Sequence, residues 1–382
     1  MRPVTVPLPA PNYDDASQEA VQVNGNKPTS KQPPAKKAKL VWTKMDIAGV
    51  IQKLLDSWIN SGAPIENGGP RFATVAERDD FTANLERLGS GASWGAARKD
   101  LIGAIGAYCS YCNSPVYSHL AIEHKLPKST FPQQAFKYAN FLLACSTCNS
   151  AKGNNPNHGT AVGNPLTKLN AINVINNTNG LVYYWPDYAW PQPTDPPSIF
   201  PFRYRLAWMD AQRNKLDFTE PMVEMDVKGF LHDFKYGAFV IDRGLYYMPF
   251  KMKGKNYYGL EMIPAPGISP TQTQAAQNII ELASLNRIIP VTKVSDTIDR
   301  RIESRTTAYF TAMLMKEQLD RAANSAPRLL APLLEQARQT IARTGHWLIW
   351  RQIFARAIYG NVSAEQMIQA CFPGTADVQW IF

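Results

Sequence analysis

Long hydrophobic runs are absent from this 382-residue sequence, and none approaches the roughly 20 apolar residues that a transmembrane helix requires. The opening MRPVTVPLPAPNYDDASQEA has no apolar core of the kind found in secretory signal peptides. The phosphate-binding pattern GxxxxGK[ST] is also missing, so any ATP chemistry would belong to a partner. We therefore expect a cytoplasmic protein with no membrane partner and no nucleotide-hydrolysing site of its own.

Cysteine is scarce, at five residues, and its placement is far from even. Four of the five form two Cys-x-x-Cys pairs, Cys109 with Cys112 and Cys145 with Cys148. In a reducing cytosol such pairs favour metal over disulfide. Two intervening residues let both thiolates of a pair reach one tetrahedral ion from a single turn. The sequence therefore predicts one structural zinc, whereas the isolated Cys371 is predicted to be a buried apolar residue.

Basic residues outnumber acidic ones, giving a net charge of +9 and a pI near 9.2. This balance favours a polyanionic partner, but it does not distinguish DNA from RNA. A proline- and lysine-rich arm over residues 1–40 is predicted to be disordered, and its lysines are more typical of a solvated linker than of a nucleic-acid contact. The same solvated interpretation applies to the arginines of the C-terminal helices, at positions 300, 301, 305, 328, 338, 343, 351 and 356.

Apolar spacing divides the remainder into segments and predicts an α+β fold. Residues 41–107 are predicted to be helical, beginning with an apolar stripe over residues 47–58, and a further helix is expected near 94–107. Residues 108–160 hold the cysteine pairs. Residues 161–270 combine loops with four short strands, in FRYRLAW, GAFVID, GLYYMPF and NYYGLEMI. Residues 271–382 are mainly helical, with helices predicted at 270–288, 296–323 and 326–360.

Between and just after the cysteine pairs lie five residues suited to phosphodiester hydrolysis. This reaction needs a base of near-neutral pKa and a divalent metal that polarises the phosphate. His124 can be the base, and Asn140 on a facing strand could orient its imidazole. Glu123 and the amide oxygen of Asn149 could bind a hard cation. Lys152, one turn after the second pair, could contact a phosphate.

Two other interpretations stay open. A zinc ribbon that serves only folding or binding would also contain the cysteines, with His124 an ordinary loop histidine. The order of Glu123, His124, Asn140 and Asn149 inside the zinc frame favours catalysis over that alternative. An RNA-cleaving toxin is a third possibility, since nothing in the sequence separates RNA from DNA as the substrate.

Residues 105–156 resemble the HNH, or ββα-metal, nucleases, in which two strands and a helix surround one catalytic metal. The resemblance implies His124 as general base, Asn140 as the middle motif residue, and Glu123 with Asn149 as ligands of a catalytic Mg²⁺ or Mn²⁺. Many members have His at the position of Asn149 and Asp at the position of Glu123. The longer Glu side chain would shift the metal by about one methylene.

A narrower resemblance is to the HNH nucleases of Septu and retron-type anti-phage systems, carried by IEHKLPKSTFP and YANFLLACSTCNSAKGNNP. AAQNIIELASLNRI (275–288) and DRRIESR (299–305) resemble a helix and an Arg-rich turn found downstream in those nucleases. The resemblance implies a role in defence beside an ATPase partner. A second copy of the chain is the alternative partner. The stripe over residues 47–58 and an apolar cluster near the C-terminus are candidate partner surfaces, unless they pack on the chain's own core. The cluster consists of Trp347, Leu348, Trp350, Ile353 and Phe354.

Overall fold

A computed structural model describes residues 1, 65–66, 69–70, 93–118, 120–128, 135, 137–153, 183–187, 200–209, 240–242, 245–247, 257–287 and 299–375. Nearly all of the predicted arm, the apolar stripe over residues 47–58 and the prolines at 191–197 lie outside these residues. Among the described helices, none is long and apolar enough to cross a membrane.

The chain enters the cysteine region through a short antiparallel strand pair and one helix. Strands β1 (Ile65–Glu66) and β2 (Gly69–Pro70) pair with each other. Helix α1 spans Ser93–Ile105, close to the helix predicted at 94–107. It ends at Gly106, whose φ of 77° is in the left-handed region that glycine adopts readily.

The cysteine region is built as two strands followed by a helix. Strand β3 (Ala121–His124) pairs antiparallel with β4 (Phe141–Ala144), in a register that sets Glu123 opposite Leu142 and His124 opposite Phe141. A single 3-10 turn at Tyr138–Asn140 leads into β4. Helix α2 (Ser146–Lys152) begins directly after the strand. This arrangement is the ββα order that the resemblance implies.

A four-stranded antiparallel sheet follows. Its strands are β5 (Phe202–Met209), β6 (Val240–Asp242), β7 (Leu245–Tyr247) and β8 (Tyr257–Pro264), in the spatial order β5-β8-β7-β6. All four predicted strands are therefore present, and each is rich in the aromatic and β-branched residues that favour extended backbone.

The C-terminal region is helical, as predicted, but one helix is divided. Helices α3 (Pro270–Leu282) and α4 (Arg301–Ser325) match the predictions. The single helix predicted over 326–360 is wrong, because the structure has α5 (Leu330–Thr344), α6 (Trp347–Phe354) and the start of a β9–β10 hairpin (Ile358–Tyr359, Val362–Ser363) there. Helix α7 (Ala364–Cys371) follows the hairpin.

The break between α5 and α6 lies at Gly345 and His346, where the backbone φ angles are positive, at 68° and 57°. Both residues are left-handed, a conformation that an α-helix cannot continue through. A Cβ on Gly345 would lie 2.5 Å from the carbonyl oxygen of Asn113 and 2.7 Å from Pro115 Cδ. The sequence pattern missed this break because the apolar spacing carries on across it.

Two buried clusters meet at strand β4. Leu142 and Ala144 belong to the larger cluster, which also contains residues of the four-stranded sheet and of the C-terminal helices. Phe141 and Leu143 belong to a smaller cluster formed with α1. Because successive side chains of a strand point to opposite faces, β4 is buried on both sides. The ββα unit is therefore held between α1 and the C-terminal core.

The apolar cluster of α6 is part of this core. Trp347, Leu348, Trp350 and Phe354 are all buried, and the indole of Trp350 donates a hydrogen bond to the carbonyl of Gly345 at 2.9 Å. The hypothesis that these residues form a partner surface is therefore wrong. They pack on the chain itself, as the alternative had it.

Gly345→Ala should destabilise the fold, because the new methyl group would press on backbone at a left-handed position. We expect a loss of at least about 1–2 kcal/mol in the free energy of unfolding, measured by denaturant titration.

Gly103→Ala is the matched control for this prediction. Gly103 lies inside α1, and a Cβ there would meet nothing within 4 Å. This variant should gain about 0.5–1 kcal/mol from helix propensity. Equal effects at the two glycines would contradict the close approach described at Gly345.

Candidate functional site

The four paired cysteines converge on one point. Their sulfur atoms all lie within 4.8 Å of one another, and Cys112 Sγ is 3.9 Å from Cys145 Sγ. Cys109, Cys112 and Cys148 are buried, and Cys145 is half-buried. No pair is joined as a disulfide. The sequence prediction that the two pairs share one site is confirmed.

Local backbone geometry aims each pair at this point. In the first pair the turn closes at Asn113, with φ of 58°, and its side chain donates to the carbonyl of Cys109 at 3.1 Å. In the second pair Cys145 is the N-cap of α2, and its sulfur accepts from the backbone N–H of Cys148 at 3.5 Å. A hydrogen bond of 2.8 Å from Ser110 N to the carbonyl of Leu143 ties the first turn to β4.

The thiols are poorly suited to stand alone. Burial raises the pKa of Cys109, and hydrogen bonds from the neighbouring thiols together with burial raise that of Cys148. Hydrogen bonds from the other three cysteines lower the pKa of Cys112. A divalent cation would satisfy all four sulfurs as thiolates and remove this conflict. The donor set, its spacing and its burial fit a structural zinc.

His124 lies at the end of β3, with 7% of its surface exposed. Its Nε2 is 2.8 Å from the carbonyl oxygen of Ala135, and its ring meets that of Phe141 edge-on at 5.1 Å. Because a carbonyl oxygen can only accept, Nε2 carries the proton, and Nδ1 of the neutral ring is the basic nitrogen. Burial lowers the pKa of His124 to about 3. The ring is therefore neutral at physiological pH, and its pKa lies well below the near-neutral value that the sequence prediction assumed for the base.

Glu123 leaves β3 on the opposite face from His124 and meets α2. Its Oε1 lies 2.6 Å from Nζ of Lys152, and both side chains are almost completely buried. Burial raises the pKa of Glu123, while the Lys152 ammonium acts in the opposite direction. The structure therefore brings together two residues that the sequence assigned to different tasks, a metal and a phosphate.

Asn140 fixes the loop that follows β3. Its Oδ1 accepts from the backbone N–H of Leu126 at 2.8 Å, and its Nδ2 donates to the carbonyl of Leu126 at 3.1 Å. Its backbone carbonyl accepts from Lys125 N at 2.9 Å. The amide thus holds the chain two residues beyond His124, which positions that residue through the backbone. The predicted contact with the imidazole stays a prediction.

Asn149 is half-buried on α2, where its backbone N–H donates to the carbonyl of Cys145 at 2.9 Å. Within the described part of the chain, the four cysteines are the one group of three or more His, Cys, Asp or Glu side chains that could hold a metal together. A catalytic cation would thus rely on Glu123 and the Asn149 amide, supplemented by water and phosphate, as Mg²⁺ often does. This donor chemistry suits Mg²⁺, but the Lys152 ammonium already occupies one oxygen of the carboxylate.

Sequence reasoning missed two charged contacts around the site. Lys125 Nζ forms a largely buried ion pair of 2.7 Å with Asp187, which lies in the segment 183–187. Arg301 Nη1 donates to Cys148 Sγ at 3.3 Å. The only signal for the first was a lysine beside the motif. The second was hidden because Arg301 was assigned to a solvated face.

That solvated assignment is wrong for three of the eight C-terminal arginines. Arg301, Arg305 and Arg351 are buried, whereas the other five are exposed as expected, namely Arg300, Arg328, Arg338, Arg343 and Arg356. Similarly, Cys371 is only half-buried, with its sulfur 3.3 Å from the carbonyl of Met367. In each case the sequence carried the residue type but not its partner.

Comparison with known families supports the motif. A family model for HNH endonucleases matches residues 109–155, which span both cysteine pairs, β3, β4 and α2. No curated protein and no solved structure matches the chain. The segment is therefore similar to HNH endonucleases over the site itself. The narrower resemblance to Septu and retron-type nucleases stays a prediction.

Cys145→Ser should lose the metal and much of the soluble, folded protein together, since zinc binding contributes folding free energy directly. We expect about one zinc per chain in the unaltered protein by elemental analysis, and a large loss in the variant.

Cys371→Ser is the matched control, because its thiol lies outside the cluster. It should keep its zinc and its thermal unfolding midpoint nearly unchanged. Well-folded protein without zinc, or equal zinc loss in the two variants, would contradict the site.

Proposed function

We propose that this protein is a metal-dependent HNH endonuclease that hydrolyses phosphodiester bonds in nucleic acid, with DNA the expected substrate. The observation that carries the proposal is the placement of His124. Its imidazole sits at the end of β3 in a ββα unit flanked by the four cysteines, with Nε2 hydrogen-bonded to the backbone carbonyl of Ala135. The match of residues 109–155 to HNH endonucleases supports it.

The imidazole would act as general base. Nδ1 of His124 takes a proton from the attacking water, and the ring becomes an imidazolium. The carbonyl of Ala135, already hydrogen-bonded to Nε2, stabilises that positive charge as it forms. Asn140 holds the backbone just beyond His124 by its two hydrogen bonds to Leu126 and so limits the motion of the base. A positioned base of this kind contributes about 10²–10⁴-fold to a rate.

Glu123 and Asn149 are the residues that would hold a catalytic Mg²⁺ or Mn²⁺. Such an ion, when bound, polarises the phosphate and stabilises the leaving oxygen. Cation binding at this site depends on displacing Lys152, because the ammonium and the cation compete for the Glu123 carboxylate. A phosphate approaching the site would offer Lys152 an alternative partner and release Glu123. In this proposal Lys152 is a catalytic residue, because its ammonium would move from Glu123 to the phosphate.

The wider setting is part of the same proposal. The net charge of +9 favours attraction to a nucleic-acid backbone. The four clustered cysteines form no disulfide, which is typical of proteins in a reducing compartment such as the cytoplasm. The resemblance to Septu and retron-type nucleases supports a role in anti-phage defence, with an ATPase or a second copy of the chain as partner. An RNA substrate is the alternative that the assay below separates.

A non-catalytic zinc module is the second candidate function. The buried ion pair favours it, since a carboxylate neutralised by a lysine has no need of a metal. Under this candidate the protein binds nucleic acid through its basic surface and does not cleave it. Binding without turnover by the unaltered protein, with every divalent cation tried, would establish this second function.

His124→Ala should strongly slow cleavage and leave nucleic-acid binding nearly intact, because phosphate contacts come from lysines and arginines. We expect a rate loss of about 10²–10⁴-fold. The measurement compares plasmid and RNA substrates, each with Mg²⁺, Mn²⁺ or chelator, beside an equilibrium binding assay.

The pH dependence offers an independent check on the base. Because the pKa of His124 lies near 3, the neutral ring should persist to about pH 5, and the cleavage rate should show no loss from base protonation near pH 6.5.

For the His124→Ala variant, cleavage at the native rate would overturn the HNH assignment.

Lys152→Met should raise the affinity for the divalent cation, since the substitution removes the ammonium that competes for Glu123 while keeping a similar volume. We expect half-maximal binding of Mn²⁺ at a several-fold lower concentration, read by electron paramagnetic resonance of free Mn²⁺ in protein whose zinc content has been verified. If Lys152 also contacts phosphate, the cleavage rate at saturating metal should fall.

Lys316→Met is the control, because Lys316 pairs with Asp320 on α4 and both are partly exposed. It should leave Mn²⁺ binding unchanged. Unaltered Mn²⁺ affinity in Lys152→Met would show that the ammonium does not compete with a cation.

A further inference from the structure

We propose that Arg301 is a positioning residue of the zinc centre. Its guanidinium donates an N–H···S hydrogen bond to the Cys148 thiolate, and this bond slows loss of the metal and lowers the reactivity of that sulfur. The inference depends on the fit of the four cysteines to zinc and is independent of nuclease activity. It assigns to an arginine of the C-terminal region a role in a site formed far earlier in the chain.

The charge of the centre creates the need for such a residue. A divalent zinc bound by four thiolates leaves net negative charge in a place where three of the four cysteines are buried. Burying a charge without compensation is costly. Hydrogen bonds from N–H groups to the sulfurs spread that charge, and they are the usual means by which outer groups tune a metal site.

The geometry around Arg301 aims one donor at the sulfur. Nη1 is 3.3 Å from Cys148 Sγ and 2.8 Å from the carbonyl oxygen of Ala283. Nη2 donates to the carbonyl of Ser284 at 2.9 Å and to Asp299 Oδ2 at 2.6 Å, and Nε donates to Asp299 Oδ1 at 3.0 Å. The planar group is thus held on three sides. Its fourth contact, the sulfur, is a consequence of that fixed orientation.

Arg305, one helical turn further along α4, adds charge from the same side. It is buried, and its side chain donates to the carbonyl oxygens of Leu260 and Leu285 and to the Asn286 side-chain oxygen. These acceptors are neutral. Because residues four apart lie on one face of a helix, both guanidinium groups face the interior that contains the thiolates. Asp299 forms an ion pair with Arg301, whereas the acceptors of Arg305 carry no charge.

A purely structural role is the competing explanation. Arg301 also joins the start of α4 to the turn after α3, so its loss would weaken packing whatever it does to zinc. The two roles differ at the sulfur. A structural clamp affects the unfolding temperature, whereas an N–H···S donor also changes the electronic state and the nucleophilicity of the Cys148 thiolate.

The experiment compares Arg301→Gln and Arg301→Lys with Arg300→Gln, in the full chain carrying zinc. Arg300 is the matched control, because it is the preceding residue and its side chain is 71% exposed. Three quantities are measured in the folded protein at a temperature well below unfolding. They are the rate of zinc transfer to a chromogenic chelator, the thiolate-to-metal absorption band of the Co²⁺-substituted protein, and the alkylation rate of Cys148 by iodoacetamide, resolved by mass spectrometry.

We expect Arg301→Gln to lose zinc about 10–100-fold faster, with a shifted cobalt band and faster alkylation at Cys148. Arg301→Lys keeps a positive charge without the planar guanidinium. Its zinc loss, cobalt band and Cys148 alkylation should therefore lie between those of Arg301→Gln and those of the unaltered protein. Arg300→Gln should match the unaltered protein in all three. Where Arg301→Gln does not fold, Arg301→Lys carries the test alone.

The proposal is overturned if the folded Arg301 variants show the zinc transfer rate, cobalt spectrum and Cys148 reactivity of the unaltered protein, even with a lower unfolding temperature. That result would assign Arg301 a structural role only. A failure of the nuclease proposal is separate, since it would appear as absent cleavage in a protein whose zinc chemistry responds to Arg301 as expected.

Discussion

The convergence of four cysteine sulfurs within 4.8 Å of one another is the constraint on which the rest of the site depends. One pair precedes β3 and the other joins β4 to α2, so a single ion would connect the two ends of the ββα unit. Seven-residue α2 is too short to be stable by itself. Its position against Glu123 follows from the cap at Cys145, which is also one of the four cysteines that could hold zinc. The cysteine cluster therefore helps to determine how α2 and Lys152 lie against Glu123.

Alternation along β3 gives its last two residues opposite environments. Glu123 faces α2 and meets an ammonium, whereas His124 faces the α1 side and meets an aromatic ring and a backbone carbonyl. One strand thereby carries a carboxylate that is paired with an ammonium and an imidazole that is kept uncharged. Both conditions come from burial, which favours neutral imidazole and penalises an unpaired carboxylate. The chemistry of the site is in this sense a property of packing.

Local patterns in the sequence carried much of this structure. Cysteine spacing predicted the four-cysteine cluster, and residue type with turn signals predicted four strands and most helices. What failed depended on contacts between distant segments. The break at Gly345 follows from its approach to Asn113, and the burial of Arg301 follows from a sulfur more than a hundred positions earlier. Similarly, no spacing rule indicates that Lys152 pairs with Glu123. Side-chain partners require the tertiary fold, and the sequence gives only candidates for them.

The burial of β4 on both faces limits how the ββα unit could be transferred into another protein. Leu142 and Ala144 belong to a core shared with the C-terminal helices, while Phe141 and Leu143 belong to one shared with α1. A short unit that is apolar on two faces cannot be grafted into another protein without exposing one of those faces to water. It must be inherited together with its surroundings, or be placed between two new layers of matching shape. In this protein the ββα unit therefore depends on both α1 and the C-terminal core for the burial of β4.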